Sequence, residues 1–222
     1  MTDTLIDRRD LAFQLYEVLD TESLIGRDRF NEHNRDTFDA VIETADKMAR
    51  EKFANHNSAA DKDEPKFVNG QVEMLPEVKE AFDAYAQAGF IAGRYDYELG
   101  GMQLPESVMA ACNGFFTAAN PGTAGYPFLT TAAANLIRVF GNESQKTSFL
   151  PNMLSGRYSG TMALTEPHAA RRWRIFAPRP RQRMMVTTSL KAQKYTSRAV
   201  NRALPKTLFT WCSPKSKALR PG

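Results

Sequence analysis

Tyr158-Ser-Gly-Thr-Met-Ala-Leu-Thr165 is a short alternating run that Pro167 stops, and it divides the chain into two unlike parts. Its period suits a strand rather than another helix. Nearly everything before it carries helical periodicity. The expected fold is therefore mainly α: a helical domain, then the first strand of a β domain, then a segment of different composition.

Upstream, Leu11, Leu15 and Leu19 recur every fourth residue with Val18 beside them. Phe38, Val41, Ile42, Ala45, Met48, Ala49 and Phe53 lay one stripe along about 36–53. Such stripes predict two amphipathic helices. A charged loop follows around Ala59–Pro65, and Asn69-Gly70 stands between two β-prone runs in Phe67–Val72, the pattern of a tight hairpin. Pro76 suits the first turn of a third helix carrying Val78, Phe82 and Tyr85, and Gly89 its end. A fourth helix is expected over about 105–119, closed by Asn120-Pro-Gly122, and a fifth over about 130–140 with Gly141 as a left-handed stop. Asn142 is placed to cap a sixth that reaches about Leu154, bent or shortened by Pro151.

Charge marks the division more sharply than periodicity. The first 170 residues hold 15 Lys and Arg against all 25 Asp and Glu, whereas 171–222 hold 14 Lys and Arg and no acid. The overall charge of +4 describes neither part. About 150 residues suffice for one domain with its own core. The chain has no apolar run of transmembrane length, and its N-terminus lacks a basic start and an apolar signal core, so the expected compartment is the cytoplasm. Two cysteines, Cys112 and Cys212, are too few for a disulfide framework or a cysteine-rich metal site, and Cys112 reads as a reduced residue on an apolar helix face.

Four blocks, in order, carry a specific resemblance. Thr161-Met-Ala-Leu-Thr-Glu-Pro-His-Ala169 resembles the flavin-contacting signature of the acyl-CoA dehydrogenase family, whose Thr-Glu-Pro turn follows the first strand of the β domain. Ala88-Gly-Phe-Ile resembles the end of a preceding helix, and Tyr97-Glu-Leu-Gly-Gly-Met-Gln-Leu-Pro105 the family's Gly-Gly loop. Gly141-Asn-Glu-Ser-Gln-Lys, with Phe149-Leu-Pro and Leu154-Ser-Gly, resembles the helix before the signature. The long N-terminal segment and Asp61-Lys-Asp-Glu-Pro are more like the longer subgroup that includes the 3-methylmercaptopropionyl-CoA dehydrogenases. The resemblance covers about 1–169. It gives expected units of 1–156 (helical domain), 157–169 (start of the flavin-binding β domain) and 170–222 (a disordered or out-of-frame tail).

The resemblance implies FAD-dependent α,β-dehydrogenation of an acyl-CoA. A carboxylate base takes the α-proton while the β-hydride passes to the flavin, and the electrons go on to an electron-transfer flavoprotein. By the family's pattern Met162, Leu164 and Thr165 contact the isoalloxazine, and the full-length protein is a homo-oligomer. Glu166 reads as a turn or ion-pair residue, because the family's base comes from its C-terminal helical domain. Small residues after Pro167 would let the backbone approach the pyrophosphate, but Ala170 stands where the pattern has Gly and Arg171 where it has Ser.

The tail has two readings. Arg171-Arg-Trp-Arg174 and Arg179-Pro-Arg-Gln-Arg183 interleave cations with an aromatic, as a nucleic-acid arm does. The preferred reading is a shifted frame. Among its degenerate codons, Ala170–Pro178 can be back-translated as GCT CGT CGT TGG CGG ATA TTC GCA CC. One G placed in front regroups it to Gly-Ser-Ser-Leu-Ala-Asp-Ile-Arg-Thr, which restores the expected Gly-Ser. The same shift permits Lys191–Asn201 to read Lys-Gly-Thr-Lys-Ile-Tyr-Ile-Ser-Gly-Gly-Glu, similar to the family's next β segment. By this reading the 222 residues alone are an inactive fragment.

Overall fold

Asp7 opens the first helix by accepting from the amides of Arg9 and Asp10 at 2.8 and 3.2 Å, the ordinary side-chain cap for otherwise unpaired N–H groups. In this computed structural model, which describes residues 5–69, 71–162 and 207–210, α1 (Arg8–Ala12) runs on as a π-helical turn over Phe13–Val18. Two short 3-10 segments, Thr21–Gly26 and Asp28–Phe30, lead to α2 (Arg35–Met48). A reciprocal box starts α2: the Thr37 amide donates to Asn34 Oδ1 at 2.8 Å and the Asn34 amide to Thr37 Oγ1 at 2.9 Å. The helix continues as a π-helical turn over Ala49–Phe53. Phe38, Ile42, Ala45, Ala49 and Phe53 of the expected stripe are buried.

Where a charged loop was expected, Asn57–Lys62 forms the short helix α3. The hairpin is present: β1 (Lys66–Val68) and β2 (Gln71–Glu73) pair antiparallel with Phe67 opposite Val72, and Asn69 turns the chain at φ 51°. Then α4 (Pro76–Gln87) starts on proline and ends at Gly89, whose φ of +80° is the left-handed stop that glycine allows.

Three further helices build the wall that carries the first strand of the β region. They are α5 (Glu106–Ala119), α6 (Pro121–Phe140) and α7 (Glu143–Leu154). Two expectations are corrected here. Asn120 does end α5, but it also caps α6, accepting from the Thr123 amide at 3.0 Å, so α6 begins at Pro121 rather than near Thr130. Proline suits a first helical position, and Pro127 is carried inside the helix because α6 is held on several sides by its neighbours. Gly141 ends α6 at φ −71° and ψ 146°, an extended rather than a left-handed conformation. Asn142 caps α7 in a second reciprocal box with Gln145, and Pro151 is absorbed inside a helix that still reaches Leu154.

The core condenses on an aromatic cluster from four elements. Phe116 of α5 lies 4.9 Å from both the Phe53 and Tyr85 rings and 5.3 Å from Phe90, centroid to centroid. These tilted and edge-on geometries favour aromatic pairs beyond their area burial. Cys112 is buried in the same core, which pushes its thiol up to about 12; it is a packed, protonated thiol, as the sequence suggested.

From α7 the chain turns at Gly156 into β3 (Ser159–Met162), inside the expected alternating run. Ser159, Gly160 and Thr161 are buried against the helices. One departure from the sequence reading lies beyond. Thr207–Thr210 forms β4, which pairs parallel with β3 in the register Ser159↔Thr207 to Met162↔Thr210. Thr-Leu-Phe-Thr is a β-prone run, and an uncovered strand edge accepts such a run. The tail was expected to carry no structure; outside these four residues, that expectation falls beyond the described residues.

Candidate functional site

Pro127 has no N–H to give back to α6, and the turn that follows carries two threonines whose hydroxyls bond down the helix. Thr130 Oγ1 donates to the Tyr126 carbonyl at 2.9 Å, and Thr131 Oγ1 to that of Pro127 at 2.9 Å. This turn is where β3 docks. The buried amide of Gly160 donates to Thr130 Oγ1 at 3.0 Å. A side chain at Gly160 would run into the Ala133 methyl and approach the Leu129 carbonyl at 3.0 Å, so the absence of one sets how closely strand and helix approach.

Described segments that carry the resemblance meet at this wall. Tyr95, just before the Gly-Gly loop, donates from its hydroxyl to the Thr131 carbonyl at 3.4 Å. Burial pushes that hydroxyl up to about 12, so it stays a donor. The loop then folds back: the Leu104 amide donates to the Gly93 carbonyl and the Gln103 amide to the Tyr95 carbonyl, both at 2.9 Å. Gly100 takes φ +76°, and at Gly101 any side chain would overlap the Tyr95 carbonyl. Arg29 braces the loop from outside through Asp96 and the Arg94 carbonyl, and His33 Nε2 bonds the Met102 carbonyl at 2.8 Å. At the other end Gly156, with φ +76°, lets the exit of α7 press on Ala86 and Ile91 beside Ala88-Gly-Phe-Ile.

Of the three expected flavin contacts, Met162 is the last described residue of β3, and its side chain is 39% exposed while the three residues before it are buried. Leu164 and Thr165 lie outside the described residues, as do Glu166, Ala170 and Arg171. The part present is a packed strand that offers one open side chain, that of Met162. Sequence reasoning did not single out Thr130. Its role depends on a partner 30 residues away, and no local pattern signals that.

A helical domain whose last element feeds a buried strand into a β region is the architecture of the N-terminal part of acyl-CoA dehydrogenases. Residues 35–157 match the family described as acyl-CoA dehydrogenase, N-terminal domain, and the chain belongs to the acyl-CoA dehydrogenase family. It is similar to 3-methylmercaptopropionyl-CoA dehydrogenase of Ruegeria pomeroyi, 29% identical over 161 residues that make up 72% of this chain and 27% of that protein. It is also similar to a butyryl-CoA dehydrogenase of Syntrophomonas wolfei, 32% identical over 169 residues, covering 74% of this chain and 28% of that one. The chain thus spans little more than a quarter of these relatives' length. Among solved structures, glutaryl-CoA dehydrogenase from Mycobacterium smegmatis shares the fold at a TM-score of 0.51 and 19% identity, over 63% of this chain and 33% of that one. Among the described residues no helix is long and apolar enough to cross a membrane.

Proposed function

We propose that this chain is the N-terminal part of a cytoplasmic FAD-dependent acyl-CoA dehydrogenase. In this reading 1–156 is the helical domain, 157–169 opens the flavin-binding β domain, and 170–222 is read out of frame. The observation that carries it is the continuity at the boundary: the family match runs to residue 157, and β3 follows at Ser159, docked on α6, ending on the half-open Met162. FAD, where bound, supplies the hydride acceptor for α,β-dehydrogenation. This chain's own residues supply the strand entry and its support on α6. Met162, Leu164 and Thr165 would hold the isoalloxazine edge, and the acyl-CoA would yield its α-proton to a carboxylate of the C-terminal helical domain. An electron-transfer flavoprotein would take the electrons, and the full-length protein would be a homo-oligomer.

The 222 residues alone should be inactive. The signature turn is followed by Ala170 and Arg171 in place of the Gly and Ser that approach the pyrophosphate, so flavin binding is incomplete. α6 also exposes the apolar side chains of Phe128, 67% exposed, Val139 and Phe140. Purified alone, the chain should be colourless and show no turnover with an artificial electron acceptor and C4 to C16 acyl-CoAs. A flavin absorbance band or turnover would overturn the fragment reading. The nucleic-acid reading is tested in parallel: salt-sensitive binding of the chain to DNA or RNA would favour a selected basic tail.

A further inference from the structure

The amide of Gly160 gives its hydrogen bond to a helix side chain, and from this we propose that Thr130 is a positioning residue for the flavin site, fixing the strand that carries Met162. The inference rests on the dehydrogenase reading above. Thr130 lies nowhere near a flavin contact by sequence, and it acts through β3.

Thr130 is fully buried, and its hydroxyl is held in one orientation because its proton is committed to the Tyr126 carbonyl at 2.9 Å. The lone pair left facing outward accepts from Gly160 at 3.0 Å. A buried amide has no alternative partner in water, so losing the acceptor costs the amide its full desolvation. On the other side of the strand–helix contact Gly160 admits no Cβ, because Ala133 and Leu129 already fill that space. Attraction at Thr130 and contact at Ala133 together set both the register and the height of β3 on α6. Met162 is two residues further along the strand. A strand side chain two residues away stands on the same face, so a slip or lift at Gly160 is carried directly to it. Tyr95 bonds the next residue of the helix at the Thr131 carbonyl, which ties the Gly-Gly loop to the same turn of α6.

Two substitutions separate positioning from bulk stability. Thr130→Val keeps shape and removes the acceptor; Thr130→Ser keeps the acceptor. In the 222-residue chain, hydrogen exchange at the Gly160 amide should accelerate at least about fivefold in Thr130→Val and stay near the unsubstituted rate in Thr130→Ser. In the frame-restored protein with FAD, Thr130→Val should raise the FAD dissociation constant by at least about fivefold and shift the visible flavin band, with rescue by Thr130→Ser. Gly160→Ala, which lifts the strand instead of freeing it, should shift the same band. An unchanged Gly160 exchange rate in Thr130→Val overturns the anchor. Unchanged FAD affinity and spectrum, with only a lowered melting temperature, reduce Thr130 to an ordinary structural residue and overturn the positioning role. A frame-restored protein that binds no flavin even without substitution overturns the dehydrogenase reading and the flavin role together, while the exchange measurement still decides the anchor.

Discussion

His56 sits at the join between the end of the α2 segment and the start of α6, 2% exposed, with both ring nitrogens in use. Nε2 bonds Thr123 Oγ1 and Nδ1 bonds Asn55 Oδ1, each at 2.8 Å. Burial lowers its pKa from the ordinary value, opposed by the carboxylates of Glu77 and Glu80 on α4. The folded state therefore holds the ring neutral at a pH where the unfolded chain, titrating near 6.5, binds a proton. Stability is fully present above about pH 6.5 and is lost as pH falls below it toward the folded-state pKa. Melting temperatures measured from pH 7.5 to 5.5 should fall more steeply for the unsubstituted chain than for His56→Gln; equal slopes would remove His56 from the account. Gly101 gives a second residue-scale prediction. Gly101→Ala would place a methyl on the Tyr95 carbonyl and 2.8 Å from that of Ala92, forcing a backbone shift that should cost about 1–3 kcal/mol in urea unfolding. Gly26→Ala meets nothing within 4 Å and should stay within about 0.5 kcal/mol.

At the scale of elements, the helices with clean apolar stripes were legible from the sequence because burial enforces their period. The α2 stripe, the hairpin turn at Asn69, the proline start of α4 and its end at Gly89 all rest on local chemistry and all stand as expected. The beginning of α6 was not legible. Pro127 argues locally for a break, and only tertiary packing together with the cap from Asn120 carries the helix through it. Asn120 also ties α6 to the α2 segment, donating from Nδ2 to the Phe53 carbonyl at 3.2 Å, a contact between residues 67 apart in sequence. At the candidate site the strand β3 was legible from its alternating run, but the bond from its Gly160 amide to Thr130 was not, since that bond is likewise long-range. The box at α7 is local and testable. Asn142→Ala removes the acceptor for the Gln145 amide and should cost about 1 kcal/mol, read from chemical denaturation at unchanged slope. A loss near zero would mean that solvent replaces the cap and that packing alone fixes the start of α7.

On the scale of the whole molecule, one chain joins an acidic, family-like segment to a basic segment without Asp or Glu. The first folds as the helical domain of an acyl-CoA dehydrogenase and hands over a docked strand at Met162. By the family resemblance Gly and Ser would stand at Ala170 and Arg171, and under the one-base shift proposed above codons can be chosen that read Gly-Ser there. The most direct test is the verified DNA sequence of the gene through the codon for Ala170, read with one base restored. An open frame is expected that gives Gly-Ser-Ser, then a Lys-Gly-Thr-Lys-like segment, and continues for several hundred codons into the rest of a flavoenzyme. Stop codons within a few dozen triplets, or no such segment, would contradict it and leave the basic tail as a selected part of the protein.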